Sequence, residues 1–312
     1  MKQNNRALIS TKEGFALGLQ DAGELYDNVF AIGTDITNST GLNYFRDKFP
    51  DRFFSVGIAE QNAAGIAAGL ALMDKISVFS TYAVFSALRA ADQIRVSICY
   101  NNLHVIIGGA HAGISVGPDG ATHQALEDIS IMRSLPNMTV VSPCDATQAR
   151  IAIKTCIEKR NGPVYFRYGR DNVPDFSSKS QYFEIGKGQI LSSGKDVCII
   201  ATGHMTWHSL QAAHTLSKTN IEAMVINIHT IKPLDNDIII SAAEHCGAIV
   251  CCEEHQIYGG LGGAVAELLA QNRPTPIEFI GIKDSFGESG SPKELMDKYY
   301  LNEQAIVESS KR

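Results

Sequence analysis

Short apolar runs punctuate this chain, and between them apolar positions return at helical spacing. Runs bounded by Gly, Asn, Asp or Ser read as strands buried on both faces, and the intervening segments read as helices. In order, the pattern predicts a helix over Lys12–Tyr26 capped by Thr11, a strand Val29–Gly33 and a polar loop Thr34–Gly41. Next come a strand Phe53–Ile58, a helix from Glu60, a strand Ile76–Ser80, a helix Ala83–Tyr100 and a strand Leu103–Gly108. A Gly-rich loop, 109–123, precedes a helix Gln124–Leu135, a strand Met138–Ser142, a helix Asp145–Lys159 and a strand Val164–Tyr168. The polar stretch Asn172–Ser180, with Pro174, is the linker candidate. The alternation then restarts: strands at Val197–Ala201, Ala223–Ile228, Ala248–Cys252 and Ile277–Ile280, and helices near Thr206–Ser217, Asp235–His245, Leu261–Ala270 and Asn302–Ser309. This pattern predicts an α/β protein of two three-layer α/β/α domains with mostly parallel sheets, over residues 1–174 and 183–312.

One stretch departs from ordinary amphipathic spacing. Residues 52–70 run from an apolar strand through Gly57 into a helix of small residues, with Glu60 at its start and Gly65 and Gly69 on one face. Interior glycines weaken a helix by about 1 kcal/mol each relative to Ala, so a face bearing two of them calls for a close neighbour. Glu60 itself is either a device that favours the helix start or a chemical group.

Composition narrows the options. The chain has 312 residues, 45% hydrophobic and 19% charged, with a net charge of −6. That suits large cores and argues against nucleic acid as the main partner. No apolar run approaches the ~18 residues of a membrane span, and Met1–Arg6 lacks an apolar signal stretch. The seven cysteines, mostly in apolar runs (Cys99, Cys156, Cys198, Cys251), read as buried thiols of a reducing compartment, the cytoplasm.

In open parallel sheets ligands sit beyond the carboxyl ends of the strands. The polar residues there are Asp35, Ser39, Glu60, Tyr82, His111, Asp119, His123 and Arg170 in the first domain, and His204, His229 and Glu253–His255 in the second. The loop 109–123 is long and holds two histidines and an aspartate, groups suited to proton transfer and hydroxyl recognition. The bland alternative is a turn-rich loop whose histidines bond to backbone. Phe79, Tyr82 and Phe85 are three apart; spacing alone favours core packing over a stacking wall for a planar ring. Arg167 and Arg170 suit phosphate or carboxylate, though a strand-end Arg is as readily a surface residue. Gly113–Gly117 matches G-x-S-x-G but leads into Gly117-Pro118-Asp119-Gly120 rather than a helix, which speaks against a hydrolase. Gly259–Gly263 fails the dinucleotide pattern at Val265 but leaves an anion at that helix start possible. His204 and His208 lack the Glu of a metalloprotease motif.

Taken together, Phe53–Asn62, His111–Ile129, Gly162–Arg170, Ala201–Gly203, Asn227–Asp235, Glu253–Gly263 and Phe286–Leu295 closely resemble the C-terminal half of transketolases, and more narrowly the C-terminal subunit of transketolases split over two chains. The resemblance implies a thiamine-diphosphate pyrimidine-binding domain followed by a transketolase C-terminal domain. It implies that Glu60 bonds the pyrimidine ring nitrogen, that Phe79, Tyr82 and Phe85 surround that ring, and that Asp35 lines the cofactor pocket. It further implies that Ser39, His111 and Arg170 hold a sugar phosphate, that Asp119 meets the substrate's C2 hydroxyl, and that His123 meets the transferred ketol unit. Glu60 is expected to be protonated, burial prevailing over the helix N-terminus.

Two departures carry weight. Lys12 stands where the family usually has an Arg on the substrate phosphate, and a Lys loses the bidentate fork. No Gly-Asp-Gly motif is present to hold Mg²⁺ or Ca²⁺ and the diphosphate. The resemblance therefore implies a separate N-terminal subunit carrying Gly-Asp-Gly…Asn, an α2β2 assembly with a β–β contact at the Gly65/Gly69 face, and two-carbon ketol transfer between sugar phosphates. The rival readings are a β-type subunit of a 2-oxo acid dehydrogenase, a deoxyxylulose-phosphate synthase-like half, and a non-catalytic partner module. His229, Glu253, Glu254 and His255 are assigned no catalytic role.

Overall fold

The computed structural model describes residues 6–178 and 182–312. Met1–Asn5 and the end of the linker candidate lie outside the described residues. The first sheet has seven strands, in the order Thr230–Lys232, Thr139–Val141, Val164–Arg167, Val105–Ala110, Ile76–Tyr82, Val29–Gly33, Phe53–Ser55. All of its pairings are parallel except that of Thr230–Lys232. The second sheet has five, in the order Ile277–Ile282, Ile249–Gln256, Val197–Ala201, Ala223–Asn227, Gln189–Ser192, with only the last pairing antiparallel.

Side-chain alternation builds the layers. Along the first sheet, Ala31, Ile106, Val141 and Phe166 face a core shared with Phe15, Leu19 and Ile153. Their chain neighbours Ile32, Ile107, Val140 and Tyr165 face the opposite core. A strand buried on both sides shows this continuous apolar run. That opposite core does not stop at the first domain: it includes Cys198, Ile200, Ile226 and Cys251 of the second sheet. The second sheet's other face packs with Leu210, Leu216 and Ile306. The two domains thus share their middle layer of apolar side chains. Cys99, Cys156, Cys198 and Cys251 are all buried thiols, as their apolar neighbours predict.

Several local expectations need correction. The helix Thr11–Leu25 is capped by Ser10, whose hydroxyl accepts from the Glu13 amide, rather than by Thr11. The linker candidate begins as a strand: Asn172–Pro174 pairs antiparallel with Leu8–Ser10. The helix expected from Gln124 begins at Asp128, because Gln124 spends its side chain on loop carbonyls. The helix expected over Ala83–Tyr100 contains two wider turns, Phe85–Arg89 and Ile94–Cys99, each closed by a bond to the fifth residue back (Ala90 N–H to Phe85 O, Tyr100 N–H to Arg95 O). Such wide turns collect at functional sites. Helix Pro292–Lys298 and strands Gln189–Ser192 and Thr230–Lys232 were not legible, and the last joins the first sheet from beyond the expected domain boundary.

Candidate active site

The helix Glu60–Leu72 starts where the sequence places it, with Glu60 as its first residue and no side-chain cap from Ala59. Glu60 is only 2% exposed. Its Oε1 accepts from Arg89 Nη1 at 2.9 Å, and its Oε2 is buried without any hydrogen-bond partner. Leaving a buried carboxylate oxygen unmet costs several times the net worth of an ordinary hydrogen bond, so this atom is positioned for a ligand donor. Arg89 is a cationic neighbour that the apolar sequence around Glu60 does not reveal. The Arg89 guanidinium also lies 4.0 Å from the centre of the Phe85 ring, a cation–π contact.

From Phe85 the site continues as a chain of rings. His123 meets Phe85 edge-on at 5.5 Å and Tyr82 edge-on at 5.6 Å, and Tyr82 stacks on His111 at 4.5 Å and 17°. Phe79 does not join them. The strand Ile76–Tyr82 runs straight through Tyr82, so residues three apart point to opposite faces; Phe79 is fully buried in the shared core beside Ile32 and Ala64. The helical stripe expected of Phe79, Tyr82 and Phe85 is therefore replaced by a Tyr82–Phe85 pair.

Beyond His111 the site becomes cationic. Thr11 Oγ1 accepts from the Gly169 amide at 2.8 Å and the Lys12 amide donates to Gly169 O, which fastens the first helix to the loop carrying Arg170. Arg170 Nη1 donates to Asp119 Oδ1 at 3.0 Å. Lys12 has no ion-pair partner among the described residues. Burial, and then the charge of Arg170, pull its pKa below the usual value for a lysine. His111 is held at φ 53°, sparsely populated for a residue with a side chain. Neither of its ring nitrogens has a partner at hydrogen-bonding geometry, although the Ser39 backbone lies near. Burial, reinforced by Arg170 and Lys12, pushes the His111 pKa down to about 4. Two cations, Lys12 and Arg170, close to a His111 that an anion would help to charge form a receptor for an anion.

The structure thus brings together Lys12, Ser39, Glu60, Tyr82, Phe85, His111, Asp119, His123 and Arg170. Among the described residues no hydrogen bond or ion pair ties Asp35 to this group; it is exposed at φ 67° beyond the end of Val29–Gly33. Sequence reasoning missed Arg89, although its position four residues after Phe85 was a usable signal. Arg167, read alongside Arg170, points the other way: it is buried, with Nε on Asp128 Oδ2 at 2.8 Å and Nη2 on Glu254 O at 2.8 Å. The anion at the Gly259–Gly263 helix start is internal. Glu253 accepts from the amides of Leu261 and Gly262 at 2.7 and 2.8 Å. Among the described residues no cluster of three or more His, Cys, Asp or Glu side chains could hold a metal ion, and no helix is long and apolar enough to cross a membrane.

Comparison with known proteins gives the family. Residues 7–175 match the domain family described as transketolase, pyrimidine binding domain, and residues 186–306 match the transketolase C-terminal domain. A putative transketolase C-terminal section of Methanocaldococcus jannaschii is 42% identical over 95% of this chain and 93% of its own length. A 6-deoxy-6-sulfo-D-fructose transketolase subunit from a Clostridium species is 38% identical over 91% of this chain and 88% of its own. A solved structure titled as a split gene transketolase, inactive β4 tetramer, superposes with a TM-score of 0.91 at 44% identity, covering 97% of both chains. With both domain families matched in order and a 42% identical relative aligned over 95% of its length, the chain belongs to the transketolase family and corresponds to its C-terminal section.

Proposed function

We propose that this chain is the C-terminal subunit of a split, thiamine-diphosphate-dependent transketolase that moves a two-carbon ketol unit from a ketose phosphate to an aldose phosphate. The observation that carries the reading is Glu60 Oε2, buried and unpartnered at the edge of the Tyr82–Phe85 wall. When bound, thiamine diphosphate supplies the electron sink that lets the bond beside a ketose carbonyl break. This chain's contribution is binding and proton control. Glu60 holds a proton between its free oxygen and a ring nitrogen of the pyrimidine, Tyr82 and Phe85 flank that ring, and Phe79 backs the wall from the core. Asp35 lines the rim. His123 and Asp119 orient the hydroxyls of the transferred unit, with His111 beside them. Lys12, Ser39, His111 and Arg170 hold the terminal anion.

The diphosphate and its Mg²⁺ or Ca²⁺ fall, in this proposal, to a separate N-terminal subunit with a Gly-Asp-Gly…Asn motif, in an α2β2 assembly. The exposed face of Glu60–Leu72 supports a contact with a second copy. Gly65 and Gly69 have open space where a side chain would stand, and Leu72 and Met73 at the end of the same helix are exposed. Buried thiols fit a reducing compartment such as the cytoplasm.

A second reading concerns the terminal anion. Lys12 offers a point charge where a bidentate Arg would grip a phosphate, and a relative is named for a sulfonated fructose. A sulfonate in place of the phosphate is compatible with this arm. The test mixes the chain with its N-terminal subunit, Mg²⁺ and thiamine diphosphate, then assays ketol transfer from phosphorylated and sulfonated ketoses. Transfer from either, absent from each subunit alone and weakened about tenfold or more in KM by Lys12→Ala, supports the reading. No transfer with any N-terminal partner returns the chain to the non-catalytic module.

A further inference from the structure

The site loop and the second domain meet at one buried carboxylate. Glu254, on strand Ile249–Gln256 of the second sheet, is 3% exposed. Its Oε1 accepts from the Ser115 amide at 2.6 Å, in the middle of the loop 109–123. Its Oε2 lies 3.5 Å from His204 Nδ1, and its own carbonyl accepts from Arg167 at 2.8 Å. The loop is shaped around this group: a Cβ at Gly113, where φ is +84°, would run into the Glu254 carboxylate. Gln124 holds the far end of the loop, donating to Ile114 O, Gly117 O and, from the second domain, Glu288 O. His111 lies four residues before the Ser115 anchor, and Asp119 and His123 lie between the two anchors.

We infer that Glu254 is a positioning residue: it latches the loop 109–123 from the second domain and thereby sets where His111, Asp119 and His123 stand. This gives the C-terminal domain a part in the site without contact with substrate. It rests on the proposed function only for the roles of those three residues; the latch itself is a statement about the loop. A charged acceptor suits the task because a carboxylate holds an amide more strongly than a neutral oxygen does. The burial that isolates it also raises its pKa against the pull of Arg167.

The test is hydrogen exchange on the full chain, read segment by segment, for Glu254→Ala and Glu254→Gln. Glu254→Ala should speed exchange in residues 113–118 by about tenfold or more while strands Val105–Ala110 and Val197–Ala201 keep their protection. Glu254→Gln, which retains an oxygen acceptor, should restore most of the difference. In the assembled enzyme Glu254→Ala should raise KM for the sugar several-fold with thiamine diphosphate affinity unchanged. If Glu254→Ala does not fold, Glu254→Gln carries the test through a smaller rise confined to the loop. Loop exchange that is unchanged, or that rises only in step with the strands, overturns the latch. A loosened loop with unchanged KM leaves the latch standing and overturns the substrate roles given to His111, Asp119 and His123.

Discussion

Two helices in this chain carry glycines four residues apart on one face. In Thr11–Leu25 they are Gly14 and Gly18, and the helix Ala146–Lys159 fills the space: a Cβ at Gly14 would strike the Ala146 carbonyl, and one at Gly18 would strike the Arg150 carbonyl. In Glu60–Leu72 they are Gly65 and Gly69, and nothing lies within 4 Å of where their Cβ atoms would stand. The sequence signature is the same and the use is opposite. The first face is closed from within the chain and belongs to the fold. The second is left open on the exposed side of the helix whose buried side carries Glu60, and no neighbour among the described residues fills it. A glycine pair shows that close approach is allowed; only the packed structure shows whether this chain supplies the neighbour.

The comparison breaks most sharply at Glu60. If the helix Glu60–Leu72 serves chemistry through its buried side, Glu60→Gln in the assembled enzyme lowers kcat by about 10²–10⁴-fold while the melting temperature of the chain stays within a few degrees. Near-normal turnover would leave that helix with an interface role only. The glycines give the next largest effect. Gly14→Ala should destabilise the isolated chain by about 3 kcal/mol, the upper end of overpacking a filled contact. Gly65→Ala and Gly69→Ala should instead stabilise it by about 0.5–1 kcal/mol each, because they remove helix-interior glycines, as urea unfolding would show. Gly65→Leu should leave the fold intact and abolish self-association, measured by light scattering. Equal destabilisation from both pairs would erase the distinction.

The smallest effect is in pH dependence. His111 in the candidate site, and His204 and His229 elsewhere in the interior, all have pKa values pushed down to about 4, by burial first. The unfolded chain binds these protons near pH 6.5 and the folded chain only near pH 4. Between those values the unfolded state holds more protons, so stability falls as pH drops through this window and is level above it. His111→Gln should remove one share of that slope. Saturating inorganic phosphate should shrink the slope in the parent chain, since an anion beside His111 favours its charged form, and leave it unchanged in His111→Gln. An identical phosphate effect in both would remove His111 from the anion arm.

Much of the fold was legible because its signals are local. Strands such as Val29–Gly33 and Val105–Ala110 are continuous apolar runs, and the helix starting at Glu60 and the one after Asp145 were placed within a residue or two. The lost elements are those defined by a distant partner. Asn172–Pro174 is a strand only because Leu8–Ser10 lies beside it, and Thr230–Lys232 only because Val140 and Val141 do. Within the site, the strand-end rule gathered Lys12's neighbours, His111, Asp119 and Arg170, onto one edge in advance. It could not separate Arg170 from Arg167, three residues apart, of which one faces the site and the other is tied into Asp128 and Glu254. Nor could it exclude Phe79, whose direction was set by whether the strand ended before or after Tyr82.

By itself, then, the chain's pattern determined two α/β layers in succession, a carboxylate at the head of a small-residue helix, and a polar, histidine-bearing loop at a strand end, since each follows from period and turn chemistry over a few residues. The tertiary structure alone decided which groups are left without partners. Glu253 and Glu254 are carboxylates like Glu60, yet their oxygens are met by amides of Leu261, Gly262 and Ser115, residues up to 139 positions away. Glu60 keeps one buried oxygen free. Satisfaction of a polar atom depends on every neighbour that packing delivers, and that sum over the whole fold turns one of three similar carboxylates into the candidate for chemistry.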